Sequence, residues 1–437
     1  MTVPVEEPYD RYEKARLIEE LESVFEFAQL CRKSSTGSAR DLFFFIEQMA
    51  VIDLIEEEEE RYVSFRKYRS RYEQRKAFVE EIMDTSPNAR FNAREFQIHF
   101  RMSRGAFYQL WSSIRNHEVF QKSPKAKKRQ VESKYQLLVF LKYFGTQGDG
   151  MSNQKASSMF PSCAGHFELI RDRVMLAILE SLDHIYCWPD ARERKEISQF
   201  IEDKYYINEC VGIGDGTLFP LAFKPNRHDA SNFYSRKGSY SITCFIICDH
   251  LKRIRYYHSG WPGNVHDERV FRNTKIALHP DKYFSTGEYI LSDSAISPRD
   301  FVVPQYKVLL EGTSLEEEKQ QFNTVCASPR VLVENSIGLL KSRFPFLRDI
   351  RLRLTDDEKT VHKLQRYVRV AIILHNLMIG FKEEQFEIDE NDIDDDPSNH
   401  RYRFISQTND GVGGSRREIL NNYIQTTDAY TVYMCRR

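Results

Sequence analysis

Hydrophobic positions repeat at helical spacing along the first half of the chain. Residues 9–83 are long, charged and helical in pattern, and KYQLLVFLKYFG (134–145) is apolar on the spacing of a helix. SNQKASSMF (152–160) predicts a short helix that Ser152 can cap, and GHFELIRDRVMLAILESL (165–182) predicts a longer one. A short helix, a tight turn and a longer helix form the pattern of a helix-turn-helix.

From about residue 205 the pattern changes to short, nearly continuous apolar runs, which predict strands. The predicted strands are CVGIGDG with LFPLAF, SITCFIICD (241–249), RIRYYHSGW (253–261), YILSDS (289–294) and FVVP. WPGNVHDERVF turns into a helix, and SPRVLVENSIGLLKSRF (328–344) predicts another, with Ser328 as its cap and Pro329 at its first position. This order of elements predicts a mixed α/β domain.

Basic residues mark candidate DNA contacts, each with a plainer alternative. Arg171 and Arg173 of the third helix can reach DNA, but helical hairpins of this shape also occur as packing units. The segments at 61–76 and 122–129 are rich in Lys and Arg and fit either a nucleic-acid surface or a solvated face. The sequence alone leaves these alternatives open.

Composition narrows the class of protein. The 437 residues carry a net charge of −1, so any attraction to nucleic acid must come from local patches. The eight cysteines form no CxxC pair, which argues against a zinc ribbon and against a disulfide scaffold, and Cys244 and Cys248 are predicted core thiols. The first residues do not resemble a signal peptide, and no apolar run approaches a membrane span. We therefore expect a soluble, intracellular protein without a membrane partner.

Three acidic residues are candidate metal ligands. Asp215 and Asp293 end two apolar strands, and Glu334 projects from an amphipathic helix that can pack on the sheet. Hard divalent cations such as Mg²⁺ prefer carboxylate oxygens, and two such ions serve in-line displacements at phosphorus. Arg330 and Lys341, four and seven residues from Glu334, can hold DNA phosphates beside the metal. Periodicity does not establish that the three acids converge.

Six blocks in order then resemble the PIF/Harbinger transposases, which carry a DDE superfamily endonuclease domain. The blocks are GIGDGTLFPL, FYSRKGSYSITCFIICD, HSGWPGNVHDERVFRNT, YILSDSAISP, SPRVLVENSIGLLKSRFPFL and AIILHNLM, within about 205–378. The resemblance implies an RNase H-like fold and a Mg²⁺- or Mn²⁺-dependent transposase that cuts and joins DNA. Its catalytic, metal-binding triad falls on Asp215, Asp293 and Glu334.

The predicted architecture is an RNase H-like α/β sheet flanked by helices, preceded by an all-α helix-turn-helix and an N-terminal helical region. The predicted domains are 1–120 (helical), 121–200 (helix-turn-helix, DNA-binding), 205–380 (DDE endonuclease) and 381–437 (an acidic, flexible tail). By the same resemblance, the partners are transposon ends, target DNA and a Myb-like DNA-binding protein, in the nucleus. The N-terminal helices can pair into a homo-oligomer.

Two further points remain open in the sequence. The basic pair Arg236 and Lys237 fits a DNA contact or a plain hairpin turn, and Asp267 is predicted to cap a helix ahead of its alternative, an accessory acid beside the metals. Ala295 and Ile296 stand after the SDS of the fourth block, where the family usually has Gly and Tyr. This departure leaves a second hypothesis, a domesticated DNA-binding or scaffold protein that no longer cuts.

Overall fold

The computed structural model describes residues 73–121, 130–148, 152–162, 165–307, 316–383 and 413–427. The chain divides into two units, Met1–Arg75 and Lys76–Arg437, and the description below concerns the second. The basic segments at 61–72 and 122–129 and the acidic run after residue 383 lie outside the described residues. No described helix is long and apolar enough to cross a membrane.

A five-stranded mixed sheet forms the centre of this unit. Its strands are β1 (Cys210–Pro220), β2 (Ser241–Cys248), β3 (Ile254–Pro262), β4 (Tyr289–Ser292) and β5 (Val302–Pro304), in the spatial order β3-β2-β1-β4-β5. The first three strands are antiparallel neighbours, whereas β4 is parallel to β1 and β5 is parallel to β4. This topology confirms the predicted α/β class and agrees with an RNase H-like fold.

Helices precede, cover and follow the sheet. In chain order they are α1 (Ala93–Phe100), α2 (Arg104–Ile114), α3 (Ser133–Phe144), α4 (Asn153–Met159), α5 (His166–Leu182), α6 (Ala191–Tyr205), α7 (Asp267–Arg272), α8 (Lys275–Leu278), α9 (Glu317–Arg343), α10 (Glu358–Gly380) and α11 (Gly413–Thr426). The predicted helices of the helix-turn-helix correspond to α3, α4 and α5. Ser152 caps α4 as predicted, because its side chain accepts a hydrogen bond from the backbone N–H of Lys155.

Two hydrophobic cores lie on opposite faces of the sheet. The larger core joins side chains of β1, β2 and β4 to α3, α5, α9 and α10. The smaller core packs Val211, Phe245, Ile247 and Ile290 against α7 and α8. Burial on both faces explains the nearly continuous apolar runs of these strands, including the buried thiols of Cys244 and Cys248.

The helix-turn-helix region shares the larger core with the sheet. Phe144 of α3 stacks on Phe346 with ring centres 5.2 Å apart, and Tyr143 lies 6.2 Å from Tyr367 of α10. Residues 121–200 and 205–380, predicted as separate domains, are therefore packed together wherever the structure describes them.

Two predicted features differ from the structure. The predicted start of a helix at Ser328 and Pro329 is wrong, because α9 begins at Glu317 and contains Pro329. Burial of Phe322 and Val325 in the larger core stabilises the earlier turns despite the proline. Flexibility was predicted for 398–437, but its residues 413–426 form α11, whose Leu420 and Ile424 are buried in the same core.

His375 and Asn376 of α10 are buried and have a structural role. The Asn376 side chain accepts a hydrogen bond from the N–H of Ile254 at 2.8 Å and donates one to its carbonyl at 2.9 Å. This pair of bonds satisfies the backbone at the start of β3, so α10 is fixed to the sheet through a buried amide.

We expect Asn376→Ala to lower the free energy of unfolding by about 2–4 kcal/mol, since it leaves a buried N–H and a buried carbonyl without partners. Urea denaturation measures this loss. The exposed Asn232→Ala is the matched control and should stay within about 0.5 kcal/mol of the wild type. Equal stability of the two variants would contradict this role for Asn376.

Candidate functional site: an acidic cluster at the centre of the sheet

Asp215 and Asp293 lie side by side on neighbouring parallel strands. Ile213 of β1 is in register with Leu291 of β4, so the residues two further along, Asp215 and Asp293, follow on the same face of the sheet. Adjacent strands are about 4.8 Å apart, which places the two carboxylates within each other's electrostatic field. In the sequence 77 residues lie between Asp215 and Asp293. The parallel pairing of β1 and β4 brings the two together.

Glu334 reaches the same face from α9, which crosses β1. Its carboxylate lies 3.6 Å from the guanidinium of Arg330, and the same Nη2 atom lies 3.9 Å from Asp215. The side chain of Asp215 is only 16% exposed and that of Glu334 is 30% exposed. The three predicted acids therefore converge from two strands and one helix.

Asp267 adds a fourth carboxylate, and the predicted cap role is wrong. The N-cap of α7 is His266, with no side-chain cap bond, while Asp267 lies in the first turn. A Cβ built on Gly216 would lie 2.3 Å from the Asp267 carboxyl group, so this carboxyl group occupies the space that any other residue at position 216 would fill. The structure favours the accessory-acid alternative for Asp267.

The three glycines of GIGDG leave space for side chains that pack against β1. Gly212, Gly214 and Gly216 alternate along β1 on the face opposite Asp215. A Cβ at Gly212 would meet Ile247 at 2.9 Å, and one at Gly214 would meet Phe245 at 2.8 Å. The glycines make room for β2 side chains and for Asp267.

Mutual repulsion and burial control the protonation of this acidic cluster, defined as Asp215, Asp267, Asp293 and Glu334. Burial first, and the neighbouring acids next, raise the pKa of Asp215 to about 8, while Arg330 opposes the rise. Burial and the charge of Asp293 raise the pKa of Asp267 to about 7. Burial also raises the pKa of Asp293, against the charge of Arg330 and the N–H of Ala295. Residues that repel one another in this way are suited to share a cation.

The donor set fits a hard divalent cation, because all four side chains offer carboxylate oxygens. Among the described residues, the only group of three or more acid, His or Cys ligand atoms within 4.8 Å of one another is His228, Asp229 and Asp356, which is largely exposed. The carboxylate oxygens of the acidic cluster are not this close to one another, since Arg330 lies between Asp215 and Glu334. Metal binding therefore requires these side chains to close around the ion.

Arg330 is anchored as a counter-ion, whereas Lys341 lies in the core. The Nη1 atom of Arg330 donates to the Gln305 side chain at 2.9 Å, just after β5, which aims its other end at the acids. Lys341 is 7% exposed, with its Nζ atom 5.9 Å from the centre of the Phe219 ring. The DNA contacts of Arg330 and Lys341 stay predictions.

Arg236 and Lys237 lie exposed at the tip of a hairpin closed by a bridge between Tyr234 and Tyr240. The tip turns at Gly238, whose φ of +72° favours glycine. The charge of Arg236 lowers the pKa of both Asp267 and Asp293, so the hairpin lies near the acidic cluster. Tyr234, which the resemblance places in the same element as Arg236 and Lys237, is a 52% exposed aromatic side chain on this hairpin.

Arg171 and Arg173 lie on α5, where both side chains pack against the protein rather than extend into solvent. The guanidinium of Arg171 lies 4.4 Å from the centre of the Tyr143 ring and donates to Asn153 at 3.3 Å, and Arg173 is half-buried. Glu168, on the same helix, is paired with Lys363 of α10 at 2.9 Å. Their DNA contacts also stay predictions.

Comparison with known proteins supports the resemblance drawn from the sequence. The family described as DDE superfamily endonuclease matches residues 214–376, which include the whole acidic cluster. The mouse and human proteins named "Putative nuclease HARBI1" are 22% and 23% identical over 186 and 187 residues, or 41% of this chain and 50% of each relative. The chain thus spans about half the length of these relatives.

A longer match joins the chain to the Arabidopsis thaliana protein named Antagonist of Like Heterochromatin Protein 1. It is 21% identical over 308 residues, which are 65% of this chain and 72% of that protein. No solved structure gives a significant match. Residues 214–376 match the DDE superfamily endonuclease family, and the predicted resemblance is confirmed at that level.

We expect Asp215→Asn to stabilise the metal-free protein at pH 8. A carboxyl whose pKa rises from 3.8 unfolded to about 8 folded contributes stability that is complete below pH 4 and is lost as the pH rises toward 8. The amide avoids this loss, so the variant should exceed the wild type by roughly 1–3 kcal/mol at pH 8 and by much less at pH 5. Urea denaturation in EDTA at both pH values measures the difference, and an equal difference at both would contradict it.

Gly216→Ala should weaken divalent-metal binding at least about tenfold, since the new methyl group displaces Asp267 from the cluster. Calorimetric titration with Mn²⁺ measures the affinity. Gly380→Ala is the control, because its added Cβ meets nothing within 4 Å. If Gly216→Ala folds and binds Mn²⁺ as the wild type does, Asp267 takes no part in the metal site.

Proposed function

We propose that this protein is a metal-dependent DNA endonuclease of the transposase type, which cuts and joins phosphodiester bonds. The observation that carries the proposal is the convergence of Asp215, Asp293 and Glu334 from β1, the end of β4 and α9. The match to a DDE superfamily endonuclease over residues 214–376 supports it.

Asp215, Asp293 and Glu334 would hold Mg²⁺ or Mn²⁺, and Asp267 would complete the donor set. When bound there, such ions would supply the lowered pKa of an attacking water or 3′-hydroxyl and the stabilisation of the leaving oxygen in an in-line displacement. The two strand carboxylates are fixed by the backbone of the sheet, whereas Glu334 can adjust through the side-chain rotations of a helical residue. This difference suits a site that closes when it is loaded.

Arg330 acts as the counter-ion of the unloaded site. Its charge lowers the pKa of Asp215 and Asp293 and thus keeps part of the cluster ionised and ready for metal. With the acids neutralised, the Nη2 end of Arg330 would be free to contact the scissile phosphate, while Nη1 stays on Gln305. This arrangement would couple metal binding to substrate binding.

The hairpin with Arg236 and Lys237 positions the DNA strand. Arg236 lies near Asp267 and Asp293, and together with the exposed Lys237 it offsets the repulsion between the acidic cluster and a phosphodiester backbone. The exposed ring of Tyr234 offers a surface on which a base can stack. Arg171 and Arg173 are proposed as DNA contacts from the helix-turn-helix pattern of their sequence, and Lys341 from its position seven residues after Glu334 on α9.

The substrates we propose are transposon ends and target DNA, in the nucleus, with a Myb-like DNA-binding protein as partner and a homo-oligomer as the working assembly. These proposals rest on the resemblance to PIF/Harbinger transposases. The mammalian relatives carry nuclease in their names, which supports the DNA-cleaving part of the proposal.

A second candidate is a domesticated DNA-binding or scaffold protein that does not cut. The similarity to the Arabidopsis protein favours it, because that match covers 72% of a protein named as an antagonist of a heterochromatin protein. Ala295, whose N–H donates to Asp293 at 3.2 Å, replaces the glycine usual in the family, but the acids of the cleavage site are all present. Cleavage therefore stays the first candidate.

We expect Mg²⁺- or Mn²⁺-dependent nicking of DNA that carries the element's own ends. Asp215→Asn, Asp293→Asn and Glu334→Gln should each lower the rate at least about a thousandfold, because each removes a charged metal ligand. The readout is strand cleavage on denaturing gels, with and without EDTA.

Asp281→Asn serves as the control for lost charge, since Asp281 is exposed and outside the acidic cluster. It should cleave at the wild-type rate. If the wild-type protein binds this DNA yet shows no metal-dependent nicking across a broad range of conditions, the cleavage proposal fails and the scaffold candidate replaces it.

A further inference from the structure

A cavity of about 250 Å³ lies between the turn that joins β2 to β3 and the C-terminal ends of α9 and α10. The cavity is smaller than the usual pockets for drug-sized ligands. Its polar lining consists of Lys252 from the turn, Arg343 from the last position of α9, and Lys382 and Glu383 just after α10. It is therefore a small, mainly cationic cavity outside the acidic cluster.

Arg343 is a buried cation without a direct ion pair. Its side chain is among the largest that are fully buried, and the whole residue is 2% exposed. Its Nε atom has no hydrogen-bond partner, and its Nη1 atom makes only two long contacts, both at 3.4 Å, with His375. Within the described part of the chain, no carboxylate forms an ion pair with it. Such a charge is costly to bury unless something compensates it.

His375 orients Arg343 but does not neutralise it. Its Nε2 atom lies 3.0 Å from the Lys252 carbonyl and must donate to it, which leaves Nδ1 as an acceptor facing Arg343. Burial, and then the charge of Arg343, lower the pKa of His375 to about 3, so the ring is neutral. Burial lowers the pKa of Arg343 to about 10, which still leaves it charged at neutral pH.

Glu383 is already engaged elsewhere. One of its carboxylate oxygens accepts from the N–H of Ser103 and the other accepts from the Ser103 hydroxyl, at the N-cap of α2. The lining therefore has three cations against one carboxylate, and that carboxylate is bonded to a helix cap. The net charge of the lining is +2, which attracts an anion.

We propose that this cavity binds a phosphate group. A guanidinium presents paired N–H donors that match two phosphate oxygens, and Lys252 and Lys382 add charge around the mouth of the cavity. Arg343 follows Glu334 by nine residues of the same helix, about 13 Å along its axis, so this phosphate is distinct from the one that is cut. Free inorganic phosphate and a backbone phosphate of DNA share this chemistry.

The test measures phosphate binding by the full chain in EDTA, where no divalent ion can bind phosphate at the acidic cluster. Thermal unfolding and calorimetry are followed against inorganic phosphate, with chloride at equal ionic strength as reference. The wild type should show a saturable rise in Tm. Lys382→Ala should weaken the affinity at least about fivefold, and Arg343→Met should abolish saturable binding.

Lys359→Ala is the matched control, an exposed lysine at the other end of α10, and should bind phosphate as the wild type does. Methionine at 343 keeps the length and apolar stem of the side chain while removing the buried charge, and urea denaturation without phosphate checks that the variant folds. Lys382 is exposed, so its alanine variant tests the site without disturbing the core. No saturable rise in the wild type, or the same rise in Lys382→Ala, would overturn the proposal.

A second arm identifies the source of the phosphate. DNA binding is measured in EDTA for wild type, Lys382→Ala and Lys359→Ala across a range of salt. If the cavity takes a backbone phosphate, Lys382→Ala alone weakens DNA binding severalfold and lowers the salt dependence by about one phosphate contact. If free phosphate is the ligand, only the phosphate titration changes. Neither arm requires cleavage, so the outcome is independent of the nuclease proposal.

Discussion

The repulsion among buried carboxylates is the interaction on which the rest of this site depends. Asp215 and Asp293 lie on adjacent strands of one sheet, and Asp267 and Glu334 approach from helices on its two faces. Burial raises the pKa of Asp215, Asp267 and Asp293, and like charge adds to the rise for Asp215 and Asp267, so ionising all of these groups in the unliganded fold is costly. A divalent cation relieves that cost, and Arg330 relieves part of it beforehand.

The surrounding fold holds the carboxylates together despite their repulsion. Strands buried on both faces fix the backbone beneath Asp215 and Asp293, and the three alternating glycines of β1 admit Phe245, Ile247 and Asp267 close to the backbone. Helices α3 and α5 pack into the same core as the sheet, so they support α10 directly. A rigid frame of this kind keeps carboxylates together that would separate in a flexible loop.

Two arginines of α9, one partly buried and one fully buried, have different roles. Arg330 has acids beside it and is a counter-ion, whereas Arg343, thirteen residues later, has no ion pair and faces a neutral histidine and a cavity. Both residues look alike in the sequence, as basic positions of one amphipathic helix. Their different surroundings come from the elements that α9 crosses, which are β1 near Arg330 and the turn between β2 and β3 near Arg343.

The sequence by itself determined the class of each main element and singled out the three acids as candidates, because helical periodicity, continuous apolar runs and strand-end carboxylates are local signals. It did not determine where α9 begins, since burial of Phe322 and Val325 outweighs the local stop signal of Pro329. Nor did it determine the role of Asp267, which looks like a cap until α7 packs against Gly216. Only tertiary structure decides which side chains share a space, because parallel pairing and helix packing join residues that are far apart along the chain.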